Sequence, residues 1–266
     1  MQSVANLSNI SAPTLEFYRN VMQVLNSESA PYLVGGAYAL NCYTGLERHT
    51  KDFDIFIKRD DYESISRVLD KAGYTTELTY PHWLAKAHHN GDFIDLVFSS
   101  GNGIADVDQA WFDHAHKAQI FDIPTRVCPA EEIIWSKAFI MERERFDGAD
   151  IAHLILVRGA EFNWQRLMQR FDPHWRLLLS HLVLFGFIYP AHRDVVPSWV
   201  MENLLDRLQK DLQSATPIEN VCAGTLLSRE QYLNDIGRWG YNDARLPPYG
   251  KMTEQDTAKW TQAIKH

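Results

Sequence analysis

The chain has 266 residues, with 26 Lys and Arg against 34 Asp and Glu, a formal net charge of −8. That length allows one large domain or two modest ones, and the acidic total excludes a broad nucleic-acid surface driven by counterion release, though not a local basic groove. The composition, 45% hydrophobic and 23% charged, is that of a globular protein, and the scattered Cys42, Cys128 and Cys222 fit neither a zinc site nor a disulfide framework but suit a reducing cytoplasm.

The N-terminus lacks the basic and apolar regions of a signal peptide. Pro13 to Leu25 reads as a helix, with apolar residues at Leu15, Tyr18, Met22 and Leu25 and a cap at Asn9 or Ser11. Tyr32 to Val34 is a short strand that stops at Gly35-Gly36, and Ala37 to Tyr43 a short helix. Phe53 to Ile57 is a strand. Tyr62, Ile65, Leu69 and Ala72 mark one helix face, with Gly73 as its stop. Trp83 to His88 and Phe93 to Phe98 flank His89-Asn90-Gly91-Asp92, a strong hairpin cue because Asn and Gly both tolerate positive φ. Ile123 to Val127 reads as a last strand, with Pro124 at an edge or at the strand start.

From Pro129 onward the pattern is helical, with helices expected over 130–145, 149–158, 163–170, 174–188 and 197–213. Leu177 to Tyr189 is the most apolar stretch, too short for the roughly 20 residues of a bilayer span, and reads as a buried helix rather than a membrane contact. Trp135, Trp164, Trp175 and Trp199 read as core between helices, and the last fifty residues as irregular. The expected architecture is α/β (α+β): a mixed sheet with flanking helices over residues 1–127, then a helical domain with an irregular tail over 128–266.

The chemistry concentrates in the first part. In a strand Lys51-Asp52-Phe53-Asp54-Ile55-Phe56-Ile57, side chains alternate, so Phe53, Ile55 and Ile57 enter a core while Asp52 and Asp54 share the other face. Their attachment points are roughly 6.5 Å apart, and two such carboxylates repel unless a divalent cation lies between them. Asp95 sits inside the apolar run Phe93 to Phe98, where a charge is costly unless paired or bound to metal. Pairing with a neighbouring arginine is the structural alternative. Three carboxylates on adjacent strands make a two-metal cradle for in-line phosphoryl displacement. Gly35-Gly36, between a strand and a helix, is either a tight turn or a place where backbone approaches a phosphate. The histidines show no metal-ligand spacing: His114 and His116 read as loop or helix surface, and His88 as a residue beside the hairpin. Haloacid-dehalogenase phosphatases also use Asp-x-Asp after a strand, but they precede the first Asp with apolar residues, unlike Thr50-Lys51 here.

The residues Gly35-Gly36-Ala37, Gly45, Arg48, Thr50, Asp52 and Asp54, with Asp95 on a later strand, resemble the nucleotidyltransferase superfamily related to DNA polymerase beta. The variant is similar to small bacterial transferases of the aminoglycoside adenylyltransferase and toxin–antitoxin types, over roughly residues 30–155. The resemblance implies a minimal nucleotidyltransferase sheet and transfer of a nucleoside monophosphate from a triphosphate, ATP by default, with release of pyrophosphate. It implies two Mg²⁺ ions, or Mn²⁺, at Asp52, Asp54 and Asp95. It assigns Lys137, on the apolar stripe of the 130–145 helix, to the triphosphate, and Asp150 to orienting Lys137, an arginine or the nucleotide. Arg48 is left between phosphate binding and pairing with Glu47 or an Asp, and Thr50 is a weaker nucleotide contact. Asp95 is the best general-base candidate. The acceptor is left open among a small molecule, a protein hydroxyl and a tRNA end. The alternative is a catalytically silent binding protein of the same fold, acting as an antitoxin or scaffold.

Overall fold

The computed structural model describes residues 10–47, 50 and 52–262. The chain divides into two units, Met1–Pro129 with Ala258–Trp260 and Ala130–Thr257 with Thr261–His266.

In the first unit, helix α1 (Ala12–Ser27) begins where the Ser11 hydroxyl accepts the Thr14 N–H at 3.2 Å; the other expected cap, Asn9, lies outside the described residues. The helix buries Phe17, Tyr18, Val21, Met22 and Leu25. Strand β1 (Leu33–Val34) runs into α2 (Gly36–Thr44), and β2 (Asp54–Phe56) is followed by α3 (Tyr62–Lys71). Gly73, at φ +89, follows α3 as expected of a stop. Then come β3 (Thr75–Tyr80), β4 (Leu84–His89), β5 (Asp92–Val97), the short α4 (Gln109–Asp113), β6 (His116–Ile120) and β7 (Ile123–Val127).

These strands form one sheet in the order β3-β4-β5-β2-β1-β7-β6. It is mixed, because β2 pairs parallel with β5 and β1 parallel with β7 while the other pairs are antiparallel. Asn90 and Gly91, at φ 51° and 91°, make the two-residue hairpin turn expected between β4 and β5. Phe53, Ile55 and Ile57 are 0% exposed. Each such burial contributes roughly 1.5–3 kcal/mol, and the Tyr18 ring stacks on Phe53 at 4.9 Å.

Within this sheet two strands escaped the sequence reading, β3 and β6, and both are outer strands. Edge strands carry polar residues that discourage further pairing, so Thr75-Thr76-Glu77 and His116-Lys117 show no apolar alternation. His116 therefore belongs to a strand, not to a loop or helix surface, while His114 caps α4. Pro124 lies in β7, between β1 and β6 rather than at a sheet edge. It is tolerated because β1 meets β7 only at Val34 and Val127.

The second unit contains α5 (Ala130–Ala138), α6 (Gly148–Arg158), α7 (Trp164–Phe171), α8 (Trp175–Ile188) and α9 (Ser198–Gln213). The helix expected over 130–145 stops at Ala138. Met141 N–H bonds to the Leu227 carbonyl, and the Glu142 carboxylate accepts from Ser228 Oγ at 2.5 Å and Arg229 Nε at 3.0 Å. Met141 also bridges to Phe146, so distant partners override the helical preference of Glu142 to Arg145. Helix α8 buries one face through Leu178, Leu182 and Phe185 but leaves Phe187 82% exposed, so it is not buried all round. Trp199 is likewise 47% exposed, unlike the buried Trp135, Trp164 and Trp175. The tail is less irregular than expected. Strands β8 (Val221–Cys222) and β9 (Asn242–Asp243) pair in parallel, and the buried Arg245 forks onto Asp243 at 2.7 and 3.0 Å. No helix among the described residues is long and apolar enough to cross a membrane.

Candidate active site

The register of the sheet determines which charges meet. Parallel pairing of β2 and β5 sets Asp54 directly beside Asp95, with Asp95 N–H bonded to the Phe53 carbonyl at 3.0 Å. Neighbouring strands lie about 4.8 Å apart. Since Phe53 and Ile55 enter the core, Asp54 and Asp95 share the opposite face. Antiparallel pairing sets Lys86 of β4 opposite Asp95, and Glu77 of β3 opposite Lys86. A charged row Glu77–Lys86–Asp95–Asp54 thus crosses four strands.

Asp95 is paired, and with a lysine rather than an arginine: Lys86 Nζ lies 2.5 Å from its Oδ1 and 3.6 Å from the centre of the Phe93 ring. Burial raises the Asp95 pKa above the usual carboxylate value. The Lys86 ammonium works against that rise, and the Asp52 charge adds to it. Asp52 itself precedes β2 and is exposed. Thr50 holds it locally, since Thr50 Oγ1 accepts the Asp52 N–H at 3.2 Å and donates to the Asp52 carbonyl at 3.0 Å. Burial, and then the charges of Asp92, Asp52, Asp95 and Asp54, push the Tyr18 phenol up to about 12, so it stays protonated. His88 Nε2 lies 3.5 Å from the Glu77 carboxylate, next along β4 on the same face.

Both glycines are sterically required, for different reasons. A Cβ on Gly35 would come 2.1 Å from the Phe56 ring. Gly36 has φ +54, and a Cβ there would come 1.8 Å from Asp54 Oδ2. The Asp54 carboxylate is therefore seated on bare backbone at the start of α2. Gly35 N–H also bonds to the Asp54 carbonyl at 2.9 Å, so the pair does more than turn the chain.

In the second unit, Lys137 Nζ lies 2.5 Å from Asp147 Oδ2 and 2.8 Å from Asp150 Oδ2. Arg145 forks onto Asp147 through Nε at 2.8 Å and Nη2 at 2.9 Å. Burial opposes the Asp147 charge, but Arg145 and Lys137 outweigh it and hold its pKa down at about 2. Asp147 escaped the sequence reading, although it stands three residues before Asp150 and immediately before α6, where acids are favoured. Arg48 lies outside the described residues.

The family described as "Uncharacterised nucleotidyltransferase" matches residues 18–189. The chain belongs to this nucleotidyltransferase family. No curated protein matches it. Among solved structures, the antibiotic-resistance factor ANT(2'')-Ia is similar with a TM-score of 0.45 and 16% identity, over 65% of this chain and 98% of that one. The lincosamide antibiotic adenylyltransferase LnuA gives 0.38 and 16%, over 55% and 97%. An antigenic nucleotidyltransferase-like protein from Paracoccidioides brasiliensis gives 0.43 and 16%, over 70% and 94%.

In this nucleotidyltransferase, no three Asp, Glu, His or Cys side chains converge closely enough to hold a metal ion among the described residues. Asp95 is closed onto Lys86 instead of being shared with Asp54 and Asp52. The chemistry of the donors nevertheless suits a divalent cation, since they are hard carboxylate oxygens. Asp54 Oδ2 occupies the space a Cβ on Gly36 would fill, and the Lys86 ammonium already stands at Asp95 as a cation.

Proposed function

We propose that this nucleotidyltransferase moves a nucleoside monophosphate from a nucleoside triphosphate, ATP first among candidates, to an acceptor hydroxyl. The observation that carries the reading is the in-register Asp54–Asp95 pair with Asp54 seated on Gly36. Asp52, Asp54 and Asp95 are the ligands for Mg²⁺ or Mn²⁺, which when bound neutralise the departing pyrophosphate and lower the pKa of the acceptor hydroxyl. The chain's own groups supply the rest. Asp95, whose burial raises its proton affinity, takes the acceptor proton. The acceptor oxygen bonds to the α-phosphorus as the bond to the bridging α–β oxygen breaks, and pyrophosphate leaves. The N-terminus of α2 offers backbone N–H groups and a positive dipole end to phosphate.

The test is incubation of the full chain with Mg²⁺ or Mn²⁺ and each of four α-labelled nucleoside triphosphates, with hydroxyl acceptors of the small-molecule, protein and tRNA classes. Label transfer with pyrophosphate release is expected, and Asp54→Asn should abolish it. Full activity in Asp54→Asn would overturn the assignment.

A further inference from the structure

Lys86 does not belong among the ligands or the proton acceptor, yet it is the group most closely bound to them. It stands on β4 between Ala85 and Ala87, both 0% exposed, so these alanines enter the core and Lys86 lies on the opposite face with Asp95. Its side chain is 22% exposed and that of Asp95 16%, so the pair is largely withdrawn from water. Within such a pair the attraction is screened less than at an open surface. The ammonium also rests on the face of Phe93, with its nitrogen 3.6 Å from the ring centre, an arrangement that favours a cation. Lys86 is thus a resident positive charge at the third carboxylate.

We propose that Lys86 is a counter-ion that competes with the divalent cation for Asp95. The proposal rests on the nucleotidyltransferase reading of Asp52, Asp54 and Asp95. Without the ion, the ammonium compensates a buried carboxylate that would otherwise stand beside Asp54 and Asp52 at a cost. Loading the site requires the ammonium to leave Asp95 Oδ1, since two cations at one oxygen repel. The register supplies a destination: Glu77 stands directly opposite Lys86 on β3, on the side away from Asp95, with its side chain 61% exposed. Lys86 therefore sets how much divalent ion the site needs, and makes the ion-free fold tolerable.

The role predicts two opposite effects of one substitution. Lys86→Met keeps the length and apolar stem but removes the charge. The ion-free variant should melt below wild type, because Asp95 loses its partner. The same variant should bind Mn²⁺ more tightly, on the order of tenfold, because one repelling charge is gone. A lysine needed only for packing would lower both.

The measurement is a titration of the full chain with Mn²⁺ alone, read by the loss of the free-ion electron paramagnetic resonance signal, alongside thermal melts without metal. Wild type should bind Mn²⁺, Asp54→Asn should lose that binding, and Lys86→Arg should stay near wild type. Where Lys86→Met fails to fold, Lys86→Gln, which keeps a donor toward Asp95 without the charge, is read in the same way. Affinity unchanged or weaker in the neutral variant, with Asp54-dependent binding intact in wild type, overturns the counter-ion role and leaves the nucleotidyltransferase reading standing. Equal tightening in Lys86→Arg overturns it as well, because charge would then not be the cause. Absence of Asp54-dependent Mn²⁺ binding in wild type overturns both.

Discussion

The sheet unit and the helical unit both gather charge, and they balance it differently. In the helical unit Glu131 and Glu132 face Arg166 and Arg170, with Arg166 at 2.8 and 2.9 Å from the two glutamates and Arg170 at 3.2 Å from Glu132. Asp147 and Asp150 face Lys137 and Arg145. Each cluster is close to neutral within itself. On the sheet, Lys86 pairs with Asp95, which stands beside Asp54, and Glu77 adds a further acid to the row. A closed cluster stabilises a fold or holds a side chain in place. Carboxylates set side by side on one sheet face are hard oxygen donors of the kind that phosphate chemistry with divalent ions uses.

The sharpest way to break this comparison is to remove one acid from each region. Asp54→Asn should lower nucleotidyl transfer on the order of 10³-fold, with the melting temperature close to wild type, because the charge removed stands beside the like charge of Asp95. Parallel turnover assays and melts check this. Glu132→Gln should do the reverse. Glu132 is 0% exposed, and burial raises its pKa against the pull of Arg166 and Arg170. Losing its charge takes a carboxylate from Arg170 and leaves Arg166 with Glu131, and should cost about 3 kcal/mol in denaturant unfolding. Activity should fall only as far as the folded fraction falls. If Asp54→Asn destabilises more than Glu132→Gln, the division between functional and structural charge fails.

The third prediction tests the seat rather than the charge. Gly36→Ala should cost about 1 kcal/mol for the positive φ alone and should displace the Asp54 carboxylate that occupies the Cβ position. Turnover should drop roughly tenfold or more, and Mn²⁺ affinity should weaken with it. Gly45→Ala, at φ +69 with nothing near the added carbon, is the control: it should share the stability cost without the loss of turnover.

Local chemistry made the acids legible in the sequence, and long-range pairing hid their partners. Asp52-x-Asp54 beside an apolar alternation, and Asp95 within an apolar run, could be read without knowing the sheet. Lys86 was readable in principle. A two-residue turn at Asn90-Gly91 pairs His89 with Asp92, and stepping back along both strands pairs Lys86 with Asp95. Glu77 was not readable, because β3 is a polar outer strand whose residues carry no apolar period. Asp147 was hidden differently. The segment from Met141 to Arg145 has helical composition, but its bonds to Leu227, Ser228 and Arg229, with the Met141–Phe146 bridge, turn it back toward α6.

The smallest effect concerns the helical unit alone. His181 is 3% exposed and its Nε2 lies 3.0 Å from the Ala138 carbonyl at the end of α5, where a neutral ring suffices as donor. Burial lowers its pKa below 6.5, more than the bond to Ala138 raises it, and burial lowers His174 in the same direction. The unfolded chain therefore binds these protons first as pH falls. The stability they contribute is complete above about pH 6.5 and is lost below it, as pH falls toward the depressed folded values. His181→Gln keeps a donor for Ala138 and removes the titration. Its melting temperature should fall less than that of wild type between about pH 7 and about pH 5, as followed by circular dichroism. Parallel curves for the two proteins would show that the His181 ring accepts its proton as readily folded as unfolded, and that burial in this unit is looser than its geometry implies.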